Sequence, residues 1–386
     1  MPLTPIRRVV TGNDERGRSK VVWDGPAPGT HEINLPGTRG TDFKGRGHTD
    51  FWIWRETPPP LDGEEDAGTW DDEFPGPVGG GHLRVVHWLP KTAEAPPNEP
   101  YKEPVQHGRT WDRGGGNHYN RSYMHKTKSV DYGILIAGER ELELDDCKLL
   151  LKPGDVVIDV GAWHLWDSSK AGCMMAFDMF EAEFVEGPAG TAQGNDSVMK
   201  PNPDHKLPAG VKPARRVVAI DREPGRSSLV VDAPSPDVRI DPARPGFAMQ
   251  RMWVAEGAPA KIVFETLHLP NTLLPPARGS VLNIFTFPPD AEWQPKVGAA
   301  EVAAYFRSMG SPSVSTYSPK APHPYMQKAR TLDFCIVLEG EIVLVLDTEE
   351  VTVRPGEFVI ERGTNHAWSN RSGKPAVVAI ASHGAR

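Results

Sequence analysis

Cysteine is scarce in this 386-residue chain: Cys147, Cys173 and Cys335 stand far apart, with no CxxC pair. Such an odd, sparse set is no disulfide framework and fits a reducing compartment. Long apolar runs are missing as well. No stretch of about 18 apolar residues occurs, so no membrane span is expected. The amino-terminal Met1-Pro2-Leu3-Thr4-Pro5-Ile6-Arg7-Arg8 carries no apolar core of a signal peptide. A soluble cytoplasmic protein is the expectation. Positive charge is in deficit: the formal net charge is −8 and no Lys/Arg run occurs, which argues against a nucleic-acid or anionic-membrane partner. There is no Ser-His-Asp order, P-loop or GxGxxG fingerprint, and Gly114-Gly115-Gly116 alone does not make a phosphate loop. Helix signals are few, the clear one being Ala299 to Met309, stopped by Gly310.

Glycine and proline are plentiful, at 38 and 39, which favours short strands and turns. In the first half, 133–137, 141–144, 148–152 and 155–160 read as strands; in the second, 334–338, 341–346, 351–354 and 357–361. This spacing predicts an antiparallel sandwich or barrel. The two series belong to an internal repeat. Arg7-Arg8-Val9-Val10 returns as Arg215-Arg216-Val217-Val218, an offset of 208 (215 − 7). Trp54 matches Trp253 at 199, and Asp131 and His164 match Asp333 and His366 at 202. Residues 1–185 read as an amino-terminal domain, 186–214 as a polar linker and 215–386 as a carboxy-terminal domain. Within the first domain, 56–81 and 91–117 read as surface loops.

The chemistry concentrates at Met124-His125-Lys126-Thr127-Lys128-Ser129-Val130-Asp131-Tyr132, followed by Gly138, Pro153-Gly154-Asp155 and His164. In an extended strand His125, Thr127 and Asp131 share a face, with Lys126 and Lys128 opposite. The second copy replaces His125 by Gln327 and Thr127 by Ala329. This pattern resembles the two motifs of the cupin superfamily, G-x5-H-x-H-x3/4-E-x6-G and G-x5-P-x-G-x2-H-x3-N. Tyr119 stands where the first motif opens with Gly, the second motif's Pro is absent, and its Gly154-to-Gly161 spacing is one residue short.

The resemblance implies an all-β, two-barrel bicupin, a jelly-roll barrel from each half, with amino-terminal strands such as 7–10 and 215–218 candidates for exchange between barrels. It also implies a homodimer or higher homo-oligomer. Carried over, the family's ligands fall on His125, Asp131 and His164, with Thr127 at the second His. Two imidazoles and one carboxylate suit a divalent metal, Fe(II) foremost, with Mn(II) or Zn(II) also suited. Asp333 and His366 alone are too few, so the second barrel is expected to be metal-free. Thr127 and His118 are the catalytic candidates, His118 as a cap over the site. Trp163, Tyr132 and Lys128 are the substrate-pocket candidates, while Trp166 and Trp368 read as packing. For Lys128 the competing role is a solvated face; for Asp131, the orientation of a backbone loop. The expected activity is a dioxygenase-like oxidation of a small aromatic or apolar organic compound. The alternatives are lyase or isomerase chemistry on the same metal and metal-free small-molecule binding.

Overall fold

A computed structural model describes residues 3–33, 46–63, 65–71, 74–88, 90, 96–184, 187–201 and 206–386. Parts of the predicted linker (186, 202–205) and of the two predicted loops (64, 72–73, 91–95) lie outside the described residues. The protein is all-β. Among the described residues two large sheets dominate, and their strand orders correspond one to one. One runs Gly29–Ile33, Arg46–Trp54, Gly81–Trp88, Leu165–Glu181, Ser129–Glu143, Val156–Asp159, Arg215–Glu223, Arg226–Pro234. The other runs Val238–Ile240, Ala248–Ala255, Ser280–Phe287, Ala376–Gly384, Thr331–Glu339, Phe358–Arg362, Arg7–Asn13, Ser19–Pro26. Each large sheet has a three-stranded companion, Val105–His107, Thr110–Asp112 and His125–Thr127 in the first half and Glu350–Val353, Ile342–Leu346 and His366–Ser369 in the second.

Each large sheet takes its last two strands from the other half of the chain. Arg7–Asn13 pairs in parallel with Phe358–Arg362, and Arg215–Glu223 in parallel with Val156–Asp159. The repeated Arg-Arg-Val-Val explains why. Arg7 reaches Asp24 at 2.7 Å and Glu357 at 2.8 Å; its equivalent Arg215 reaches Asp232 at 2.6 Å and Asp155 at 2.7 Å. The next arginines are fully buried: Arg8 pairs with Asp66, and Arg216 with Glu265 at 2.7 Å. The following valines enter apolar cores, Val9 that of the second barrel and Val217 that of the first. Each contributes about 1.5–3 kcal/mol on burial.

The two barrels share a further core, in which Phe51 stacks on Phe358 at 4.1 Å and His383 Nε2 meets Asp178 Oδ2 at 2.8 Å. Tyr132 belongs here. It is fully buried, its hydroxyl 2.8 Å from Ser280.

The halves differ in what fills them. The predicted helix is present as Ala299–Ser308, and it buries Val302, Tyr305 and Phe306 against the second barrel's core. What remains there is a cavity of about 40 Å³, lined by Arg244, Tyr305, Tyr325, Gln327 and Trp368 among others. No α-helix occurs among the described residues of the first half. Its barrel keeps a cavity of about 590 Å³.

Candidate active site

The large cavity is bounded by the strands Arg46–Trp54 and Gly81–Trp88, the hairpin Val105–His107/Thr110–Asp112, and the segments that carry His118, Tyr123, His125, Asp131, Arg140, His164 and Trp166. A larger open groove of about 1010 Å³ lies beside Lys328 and Arg330, but no histidine lines it.

His125 and His164 face each other across an antiparallel bridge, joined by two backbone hydrogen bonds of 2.8 and 2.9 Å, with ring centroids 4.3 Å apart. Each ring is fixed through Nδ1. That of His125 lies 2.7 Å from the Tyr123 carbonyl; that of His164 lies 2.9 Å from the Ala162 carbonyl and 2.5 Å from Asp159 Oδ2. Nε2 is therefore the nitrogen left for a ligand in both, an outer-shell arrangement common at metal sites. Burial, and then the neighbouring His164, hold the His125 imidazole well below its ordinary 6.5. Burial pulls His164 the same way, but the Asp159 carboxylate more than offsets it and the ring sits above 6.5. Asp131 is 3% exposed and its Oδ1 has no hydrogen-bond partner. Burial, reinforced by Asp159, pushes its carboxyl up to about 8.

The unpartnered oxygen of Asp131, a carboxyl on which the His164 charge acts, and two imidazoles with Nε2 left over are donors of the kind a divalent cation takes, although the three ligand atoms do not all lie within 4.8 Å of one another. The set is open rather than closed. Among the described residues, the three groups whose ligand atoms all lie within 4.8 Å of one another are His31, His48 and Asp50; Asp131 is one methylene shorter than the motif's Glu. That second His-His-Asp set sits at the cavity edge through His48. Both Asp50 oxygens are taken by Arg84, at 2.6 and 3.1 Å, so a cation there would face a guanidinium.

The other sequence candidates divide. His118 lines the cavity with its ring 3.8 Å from Tyr123, an unpartnered Nδ1 and a left-handed backbone (φ 57). Burial lowers its imidazole to about 4, so it is neutral. Thr127 is buried with its hydroxyl 2.8 Å from Ser129 and does not line the cavity. Its strand ends there and a new one starts at Ser129, so alternation does not carry from His125 to Asp131. Trp163 is fully buried, its indole N–H donating to the Pro188 carbonyl, in a cluster with Trp111, Met124 and Leu165. Tyr132 faces the core between the barrels. Lys128 lies over Trp111 at 5.4 Å, outside the cavity lining. Trp166, expected as packing, lines the cavity together with Trp88, Phe177, Arg46 and Arg140.

The residue most informative and least anticipated is Asp159. It orients His164, and its repeat equivalent Glu361 stands 3.5 Å from His366 Nδ1. In the second copy Gln327 Nε2 lies 3.3 Å from His366 Nε2.

Residues 313–382 match the family model Cupin_2, described as a cupin domain. Among known proteins the chain is similar to phomopsin biosynthesis cluster protein C' of Diaporthe leptostromiformis, 46% identical over 48 residues, which are 12% of this chain and 25% of that protein. It is also similar to the cupin-domain-containing oxidoreductases fogC of Aspergillus ruber and virC of Hypocrea virens. Each is 38% identical over 58 residues, 15% of this chain and 28% or 29% of the relative. The matched stretch thus spans little more than a quarter of these relatives. Among solved structures, a Cupin 2 conserved barrel domain protein from Leptotrichia buccalis aligns at 9% identity and TM-score 0.33, over 78% of this chain and 83% of that one. Protein Ylba from E. coli aligns at 9% identity and TM-score 0.38, over 91% and 86%. Residues 313–382 are thus a cupin domain, set in a chain whose large-sheet strand order is laid out twice.

Proposed function

We propose that the first barrel is a metal-dependent oxidoreductase centre for a small aromatic or apolar organic compound, with a divalent metal held by His125, Asp131 and His164. The observation that carries this is the asymmetry of the barrels: about 590 Å³ whose lining includes the facing imidazoles of His125 and His164, the orphaned carboxyl of Asp131 and aromatic walls, against about 40 Å³ where Gln327 replaces His125. The similarity to cupin-domain-containing oxidoreductases supports the reading. Fe(II), the ion best matched to two imidazoles and a carboxylate, would supply O₂-dependent, dioxygenase-like redox chemistry when bound.

The chain's own residues do the rest. The Tyr123 and Ala162 carbonyls and Asp159 fix which nitrogen each histidine presents. Trp88, Trp166 and Phe177 give a substrate ring an apolar wall. His118, neutral and with Nδ1 unpartnered, is placed to accept a proton at that atom.

Metal analysis of protein purified without chelator tests the reading. Close to one equivalent per chain is expected, lost in His125→Ala and His164→Ala and kept in His48→Ala. Less than about 0.2 equivalents, unchanged by His164→Ala, would leave a metal-free binding protein. Loss in His48→Ala alone would move the metal to the His31, His48, Asp50 set.

A further inference from the structure

Three guanidiniums line the chamber, those of Arg46, Arg84 and Arg140. Arg84 is neutralised by Asp50 through two hydrogen bonds. Arg140 has no such ion pair, and the Asp167 carboxylate acts on it only from a distance. It is 2% exposed, its Nε and Nη1 have no hydrogen-bond partner, and no carboxylate pairs with it among the described residues. It is held in place by π faces, 4.8 Å from the Trp166 ring centroid, 5.5 Å from Phe177 and 5.8 Å from Trp88. Arg46 lies against the same Trp88 at 5.1 Å, and its Nε is likewise unpartnered. A buried guanidinium without an anion is costly. Aromatic faces offset part of that cost but accept none of its N–H donors.

The second barrel shows what completion looks like. There Arg244 is caged by Tyr325 at 3.7 Å, Phe247 at 3.9 Å and Tyr305 at 4.3 Å, and it has its own carboxylate, Asp241, at 2.7 Å. The residue equivalent to Arg140 in that barrel, 202 positions on, is the buried Ile342. The closed barrel supplies an acid to its caged arginine; the open one leaves Arg140 to a visitor.

We infer that Arg140, with Arg46 beside it on Trp88, is the anchor for a carboxylate on the substrate, which makes the substrate an aromatic or apolar monocarboxylate held ring-on-tryptophan. This rests on the first barrel being a ligand chamber and not on a bound metal. Carboxylate and guanidinium would meet through charge-assisted hydrogen bonds of fixed fork geometry.

Benzoate and its neutral isostere benzamide are the probes, followed by tryptophan fluorescence in excess chelator. Wild-type protein is expected to bind benzoate about 10- to 100-fold more tightly than benzamide, and Arg140→Met, which keeps the apolar stem against Trp166, is expected to abolish the difference. Equal wild-type affinity for the two probes, no binding of either, or undiminished benzoate binding by folded Arg140→Met would overturn the assignment. The wild-type comparison decides by itself if the variant does not fold. Benzoate binding that appears only when Fe(II) is added would also overturn it, placing the carboxylate on the metal and leaving the proposed function standing. Benzoate binding in chelator combined with no metal uptake would do the reverse.

Discussion

Asp131→Asn stabilises the metal-free protein at pH 8 and above, by on the order of 3–6 kcal/mol, and leaves it unchanged near pH 4. The carboxyl is raised from an ordinary 3.8 to about 8, first by burial and then by Asp159. Below pH 3.8 it carries its proton folded and unfolded alike and contributes nothing that depends on pH. As the pH rises from there to about 8, the unfolded chain ionises while the folded one stays protonated. The folded state loses stability over that window and levels off above it. Asparagine has no proton to lose, so the variant escapes the loss. Shifted groups that do not interact with Asp131, such as His48 and His87, both lowered to about 4 by burial, act equally in both proteins and cancel in the difference; His164, held up in part by the Asp131 charge, does not. Urea melts of the two proteins in chelator at pH 4, 6 and 8 give the answer. Parallel curves would mean that Asp131 is no strained acid. With Fe(II) or Mn(II) added, the order should reverse, the wild type gaining stability and the variant none.

Lys126→Ala costs about 3–5 kcal/mol, the usual result of stranding one member of a buried ion pair. Lys126 Nζ lies 2.6 Å from Asp221 Oδ2 and 2.8 Å from the Gly190 carbonyl, and both side chains are sealed from water. Burial already holds the Asp221 carboxyl up at about 6, with Lys126 pulling it down. Without the lysine that carboxyl rises further, so the damage is smallest near pH 4 and grows toward neutrality. Lys126→Met combined with Asp221→Asn removes both charges and recovers most of the loss in the same melts. If the double variant is as unstable as Lys126→Ala at pH 7, the pair is not what holds this corner.

The duplication was legible because three separate offsets, 199, 202 and 208, run in chain order. Which strands would neighbour which was not. The family resemblance made 7–10 and 215–218 candidates for exchange between barrels, but nothing in the sequence pattern named Phe358–Arg362 as the partner of Arg7–Asn13. The same limit applies to the site. Ser129 to Leu135 is buried throughout, so its pattern does not say that Asp131 faces the chamber and Tyr132 the core between barrels. Trp163, next to His164, looked like a pocket wall until the linker carbonyl of Pro188 closed over it. Asp159 had a signal that went unread: it and Glu361 occupy the place of the motif's proline, two residues before Gly161 and Gly363. An acid there in both copies exchanges a rigid turn for a hydrogen-bond acceptor aimed at the following histidine. Arg140 had a fainter one, as a cation amid strand residues at a position where the other copy has Ile342.

Strand exchange also imposes a calendar on synthesis. The first barrel closes when Arg215 meets Asp155, 60 positions back; the second must wait until Glu357 reaches Arg7, 350 positions earlier. Closure over so long a loop is entropically slow. The chamber-bearing barrel is thus complete while the ribbon of residues 7–26 still drifts with bare edges. The last act of folding is the capture of one of the earliest-made segments by one of the latest, and any chaperone that serves this chain would be needed in that interval.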